Sequence, residues 1–235
     1  MTFQNKQSVF WALLAALLAL LVVQPQVVNL PHGRLIVSAL GSLLQVAAIV
    51  VLAEDRRLRI LAWSFGLVTI AAIWSRHYFS NVSHEAALVC SHGLTSIFLA
   101  CTAVLILHFV MTHDVTAESV VAAICAYLLI GIFVGQLCFI VQTLDPQAYH
   151  TADDLTPQMS EPEARSALLM YYSFSTLTTT GYGDITPNRP LSRTMAWLEA
   201  ATGQLYLAVL VAGLVSARAS RRWSDEFRPS KIHPL

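Results

Sequence analysis

Six apolar blocks separated by short polar breaks constrain this chain more than any other feature: Ser8 to Val23, Leu35 to Ala53, Ile60 to Ser75, Ala86 to Met111, Val120 to Thr143 and Thr194 to Ala217. About 20 apolar residues cross a hydrocarbon core as a helix, because only a helix satisfies its own backbone polar groups there. The pattern therefore predicts an all-α integral membrane protein with six transmembrane helices. Composition agrees, with 56% of residues hydrophobic and only 12% charged. The first and third blocks are short. Arg59 and Arg76 flank the third and can snorkel to the two interfaces, which lets a short block span.

Charge orients the chain. Lys6 precedes the first block, but that block runs into Gln24-Pro25-Gln26 without a small-residue cleavage pattern, so it reads as a retained helix. With Lys6 inside, the inner loops hold Lys6, Arg56, Arg57, Arg59, Arg218, Arg221, Arg222, Arg228 and Lys231. The outer ones hold Arg34, Arg76, Arg165, Arg189 and Arg193. Nine against five follows the positive-inside rule and places both termini in the cytoplasm of a cell-membrane protein. Net charge is zero, which gives no reason to expect nucleic acid as a partner. Cys90, Cys101, Cys125 and Cys138 all fall inside predicted spans, where they pack as small apolar residues and suggest neither disulfides nor a metal site. Glu54 to Arg59 and Thr112 to Ser119 read as inner loops. Ser216 to Leu235 is too short for a folded domain. The expected division is a four-helix membrane domain over 1–118, a second membrane domain over 119–218 and a cytoplasmic tail over 219–235.

The interval from Leu144 to Arg193 changes character along its length. Asp145 to Glu163 is polar and acidic, with Pro146, Pro157 and Pro162. Ala164 to Thr178 predicts a short amphipathic helix, opened by Glu161-Pro162-Glu163, which suits a helix N-terminus. Thr179 to Pro187 carries two glycines and ends on proline, so it is expected to be extended. A helix this short enters the membrane only part way. Extended backbone after it is tolerated at that depth only where it is buried in protein or lines a water-filled path.

The residues Thr178-Thr179-Thr180-Gly181-Tyr182-Gly183-Asp184-Ile185-Thr186 resemble the pore-loop signature of potassium channels, and the resemblance extends from about Arg165 to Ala217. It implies a re-entrant pore helix and a selectivity filter between helices five and six, and a homotetramer in the lipid bilayer. Potassium would be bound through Thr179, Thr180, Gly181 and Tyr182, without a cofactor. The residue types suit that task. Carbonyls stacked toward one axis need alternating backbone handedness, which Gly181 and Gly183 adopt without penalty. Carbonyl oxygens suit a hard cation and carry no fixed charge to trap it. Tyr182 is expected to brace the filter against Tyr171 or Tyr172.

Two departures from the commonest family pattern stand out. Thr180 replaces the usual valine or isoleucine, and Ser175 falls where some members carry a carboxylate that couples to the aspartate after the filter. Asp184 is then expected to depend on Tyr172 or water. Glu199 is the only acidic residue inside a predicted span and is expected to bond behind the filter to pore-helix hydroxyls such as Thr176 or Ser175, with Gln204 able to join that network. Gly203 falls where the family often has a gating hinge, beside Ala208 and Ala212, whose small side chains permit close packing. The fourth block argues against a voltage sensor, since no arginine or lysine occurs from His77 to Ala117. The resemblance is thus to a six-helix, prokaryotic-type member without a charged sensing helix.

Other readings compete less well. Gly181-Tyr182-Gly183-Asp184 also matches the Gly-x-Gly-Asp signature of intramembrane aspartyl proteases, but these need a second intramembrane aspartate, and no predicted span supplies one. A non-conducting membrane subunit does not account for the intact signature. His92 and His108 lie more than four helical turns apart, which suits interhelical bonding better than a relay. Asn81-Val82-Ser83 is a glycosylation pattern on a predicted outer loop.

Overall fold

In the computed structural model, residues 3–28, 30–52, 56–75, 84–112, 116–153 and 155–226 are described. The glycosylation pattern at Asn81, the acidic Asp154 and the tail from 227 lie outside them. Five helices come first: α1 (Phe3–Val27), α2 (Gly33–Leu52), α3 (Arg56–Ser75), α4 (His84–Thr112) and α5 (Ala117–Leu144). Strand β1 (Tyr149–Thr151), helices α6 (Thr156–Ser160) and α7 (Pro162–Leu177), strand β2 (Ile185–Pro187) and the long α8 (Pro190–Glu226) complete the order.

Four helices contain stretches long and apolar enough to cross a membrane, namely Val9–Val27, Gly33–Val51, Glu85–Thr112 and Ala117–Leu144, while Ile60–Ser75 is a shorter apolar helix. By length and composition, four of the six expected spans are met among the described residues. Three details correct the sequence reading. Arg56 to Arg59 belong to the first turn of α3 rather than to a loop. The sixth block does not stop near Ala217 but continues as helix to Glu226. The fold also contains a two-stranded antiparallel sheet, with His150 opposite Thr186, so it is not wholly α.

Local chemistry explains the element ends nearest the site. Thr116 accepts from the Ser119 amide and the Ser119 hydroxyl accepts from the Thr116 amide, a reciprocal cap that starts α5. Pro162 occupies the first turn of α7, where its missing N–H costs nothing, and Glu163 complements the positive end of the helix. Two hydrophobic clusters hold the elements together. The larger joins Leu13 and Leu17 of α1, Ile49 of α2, Phe98 and Leu99 of α4 and Leu129 and Ile132 of α5, and it extends to Met170 of α7. The smaller packs Phe139 of α5 with Leu169 and Tyr172 of α7, and with Tyr149 and Ile185 of the two strands. Large apolar side chains that face outward, such as Trp11, Leu67, Val104, Trp197 and Leu205, are uncovered in the single chain. That suits a lipid or subunit environment.

Candidate functional site

α5 and α8 hold α7 between them through small residues. A Cβ at Gly131 would lie 2.7 Å from the Phe174 ring, and one at Gly135 would lie 2.9 Å from the Met170 sulfur. The Gly131-x-x-x-Gly135 spacing is the small-residue signature of close helix packing. Two glycines four residues apart in an apolar helix are its signal in the sequence. On the other side, a Cβ at Gly203 would stand 2.0 Å from the Leu177 carbonyl oxygen. Close approach of α8 to the end of α7 is therefore what Gly203 provides here.

α7 ends where the Thr178 amide bonds the Phe174 carbonyl at 3.0 Å and the Thr178 hydroxyl donates to the same oxygen at 2.7 Å. The chain then changes hand at alternate residues. Thr179, Gly181 and Gly183 have φ of 57°, 59° and 81°, and no other described residue apart from these has a positive φ. Such alternation turns successive carbonyls to one side of the strip, whereas an ordinary strand sends them to opposite sides. The glycines adopt it without penalty, but Thr179 is β-branched and strained there by about 1–3 kcal/mol.

Three groups hold the strip in place. Ser175 accepts through its backbone carbonyl from the amides of Thr180 at 2.8 Å and Gly181 at 3.2 Å. Its contribution is therefore a main-chain one. The Thr179 hydroxyl donates to the Thr178 carbonyl at 2.7 Å and accepts from Gln204 Nε2 at 3.1 Å. Thr178 and Thr180 share a hydroxyl contact of 2.9 Å. Thr179 to Gly183 are themselves exposed in the single chain, and a Cβ at Gly181 or Gly183 would meet nothing within 4 Å.

Several expected supports are corrected. Glu199 is buried, but its partner is the Ser173 hydroxyl at 2.5 Å rather than Thr176 or Ser175. The same hydroxyl lies 2.7 Å from the Gly131 carbonyl, which joins α8, α7 and α5 in one line. Gln204 does not join this network and reaches the strip instead. Asp184 accepts from the Tyr171 hydroxyl at 2.8 Å rather than from Tyr172. Tyr171 also stacks on Tyr182, with ring centroids 6.1 Å apart. Successive residues on α7 diverge by about 100°, so Tyr171 faces the strip while Tyr172 points into the smaller cluster, edge-on to Tyr149 at 5.1 Å. The Asp184 carbonyl accepts from the Ala152 amide at 2.9 Å, tying the strip to the β1 side.

Outside this site, His92 bonds Gln136 and stacks on Phe139 at 4.0 Å, whereas His108 is exposed. The interhelical reading of His92 is the one observed. Cys125 and Cys138 are buried, while Cys90 and Cys101 face outward.

Residues 168–218 match a family model described as Ion channel. No curated protein and no solved structure matches the chain. The matched segment begins within α7, contains the whole strip and its supports, and ends in α8. The match makes this segment similar to an ion-channel domain, and the long apolar helices fit a membrane protein.

Proposed function

We propose that the chain is one subunit of a homotetrameric potassium channel in the cell membrane, conducting passively through a selectivity filter at Thr179–Gly183. The observation that carries this reading is the alternation of backbone hand at Thr179, Gly181 and Gly183. It builds a column of main-chain oxygens on a strip left open in the single chain. Carbonyl dipoles replace the hydration shell of a hard monovalent cation without binding it irreversibly. One strip supplies one wall, and cyclic symmetry closes four of them around an axis. α7 is then the re-entrant helix, its negative C-terminal end aimed at the ion path. All six apolar helices cross the membrane, both termini lie in the cytoplasm, and Gly203 is the inner-helix position about which gating bends.

Voltage does not open this channel steeply. Each charge moved through 100 mV supplies about 2.3 kcal/mol, and α4 carries no arginine or lysine for the field to move. The decisive experiment is flux of potassium against sodium through purified protein in liposomes, with and without an imposed potential. Potassium preference is expected, with little voltage dependence, and it is expected to disappear in Gly183→Ala, because a side chain at that φ costs about 1–2 kcal/mol in each subunit. Equal potassium and sodium flux in the unaltered protein, or full selectivity in Gly183→Ala, would overturn the assignment.

A further inference from the structure

A cavity of about 90 Å³ lies where α1, α2, α4 and α5 meet the start of α7. Its lining is polar for a site among apolar helices and includes Gln24, Gln45, Ser91, Thr95, Gln136 and Ser166. At one end stand Arg34 and Glu163, paired at 2.6 Å and partly exposed, so this end meets the surface. Gln45 follows Arg34 by eleven residues on α2, which places it about 16 Å deeper along the helix.

Gln45 is 1% exposed, and neither its Nε2 nor its Oε1 has a hydrogen-bond partner. A buried primary amide with all its donors and acceptors unused is strongly disfavoured unless a guest supplies them. The volume suffices for several waters, each needing roughly 10–15 Å³ of such space, or for one small molecule. The Ser91 and Thr95 hydroxyls donate to the carbonyls of Leu88 and Ser91, at 3.0 Å and 2.8 Å. Their lone pairs therefore remain as acceptors for a guest. Below the Arg34–Glu163 pair the lining offers amides, hydroxyls and the His92 ring but no carboxylate, lysine or arginine, so nothing there compensates a permanently charged guest.

We propose that this crevice is a regulatory site for a small, uncharged molecule that both donates and accepts hydrogen bonds, and that its occupancy is felt at the pore helix. The coupling runs through Pro162, Glu163 and Ser166, which line the cavity and form the opening turns of α7. Gln24 of α1 also donates to the Ser166 hydroxyl at 3.3 Å, tying α1 to that turn. The regulatory half of this inference rests on the proposed channel function, whereas access to the site does not.

The test uses the full chain in liposomes with Gln45→Cys or, as a second probe of the same cavity, Thr95→Cys. Each is treated with neutral methyl methanethiosulfonate or with its trimethylammonium-ethyl analogue. Peptide mass mapping reads the labelling rate at each cysteine and potassium flux reads the consequence. The neutral reagent is expected to label both introduced cysteines at least tenfold faster than the buried Cys125 and Cys138, and the cationic reagent to label them slowly. Neutral labelling is expected to change flux at least twofold. Labelling no faster than at Cys125 would overturn the open crevice, and equal labelling by the cation would overturn its preference for uncharged guests. Complete labelling with unchanged flux would overturn the regulatory role. Flux before labelling reports the channel function separately, so absent basal flux would count against that reading and leave the access result standing.

Discussion

Gln204 of α8 donates from its side-chain amide to the hydroxyl of Thr179 at 3.1 Å, so the inner helix holds the one residue of the strip that adopts a positive φ without being glycine. The strain at Thr179 is offset locally by this bond and by the hydroxyl's own bond to Thr178. In the proposed tetramer, a rotation of α8 would act on the carbonyl of Thr179 through that contact.

Removing the bond should therefore loosen the filter before it unfolds anything. Gln204→Leu keeps the bulk and loses a hydrogen bond worth about 0.5–1.5 kcal/mol per subunit. The expected outcome is a lower potassium-to-sodium flux ratio with little change in thermal stability. An unchanged ratio would show that Thr179 is held well enough without Gln204.

The Glu199–Ser173–Gly131 line makes a different prediction. The Ser173 hydroxyl has one hydrogen but two acceptors within reach, the Glu199 carboxyl and the Gly131 carbonyl. Both contacts are satisfied when the residue at 199 supplies a hydrogen of its own. Glu199→Gln offers an amide donor in the same place and is expected to melt close to the original temperature. Ser173→Ala leaves a buried carboxyl oxygen without its partner, at a cost of about 1–3 kcal/mol. Thermal unfolding in detergent measures both, and a Glu199→Gln loss as large as that of Ser173→Ala would refute the hydrogen count.

Gly203→Ala is expected to be severe, because the new methyl would lie 2.0 Å from the Leu177 carbonyl oxygen and no side-chain rotation relieves a clash with backbone. α8 must move away from the end of α7, taking Gln204 with it, so flux should fall sharply. Gly213, where an added Cβ meets nothing within 4 Å, is the control. Gly213→Ala should be neutral or gain up to about 1 kcal/mol from helix propensity. Equal effects at the two positions, read by flux and melting together, would mean that close packing against Leu177 is not what requires glycine at 203.

The four long apolar helices, the short helix before the signature and the strip after it were legible because each follows from a local property: apolar block length, a proline at a helix start, paired glycines. Which hydroxyl meets Glu199 was not legible. Ser173, Ser175 and Thr176 all lie within one turn of α7, and the choice among them depends on the rotation of that helix, which Gly131, Gly135 and Gly203 set from outside it. The same rotation sends Tyr171 rather than Tyr172 to Asp184. The β1–β2 pairing was missed because strands of three residues carry no usable alternation. The polar crevice was missed because Ser38, Gly41 and Gln45 read as scattered residues until their shared helical face is considered.

The acidic segment before α7 carries Asp145, Asp153, Asp154, Glu161 and Glu163, and the structure divides it. Asp145 pairs with Arg189 at 3.1 Å and Glu163 with Arg34 at 2.6 Å, so these two contribute little net field. Asp153 and Glu161 are exposed and in no ion pair within 4 Å among the described residues. In a tetramer they would raise the local cation concentration at the outer mouth, an effect screened beyond about 10 Å at 0.1 M salt and reaching about 30 Å at 0.01 M. Asp153→Asn with Glu161→Gln should therefore reduce single-channel conductance at about 10 mM salt and leave it nearly unchanged at about 1 M, where the screening length is only about 3 Å. Glu163→Gln should behave otherwise, since it removes a contact that ties α7 to α2 rather than a free charge, and its effect should persist at both salt concentrations. Conductance ratios that do not depend on salt in the double variant would mean that these carboxylates stand too far from the axis to act on the permeating ion.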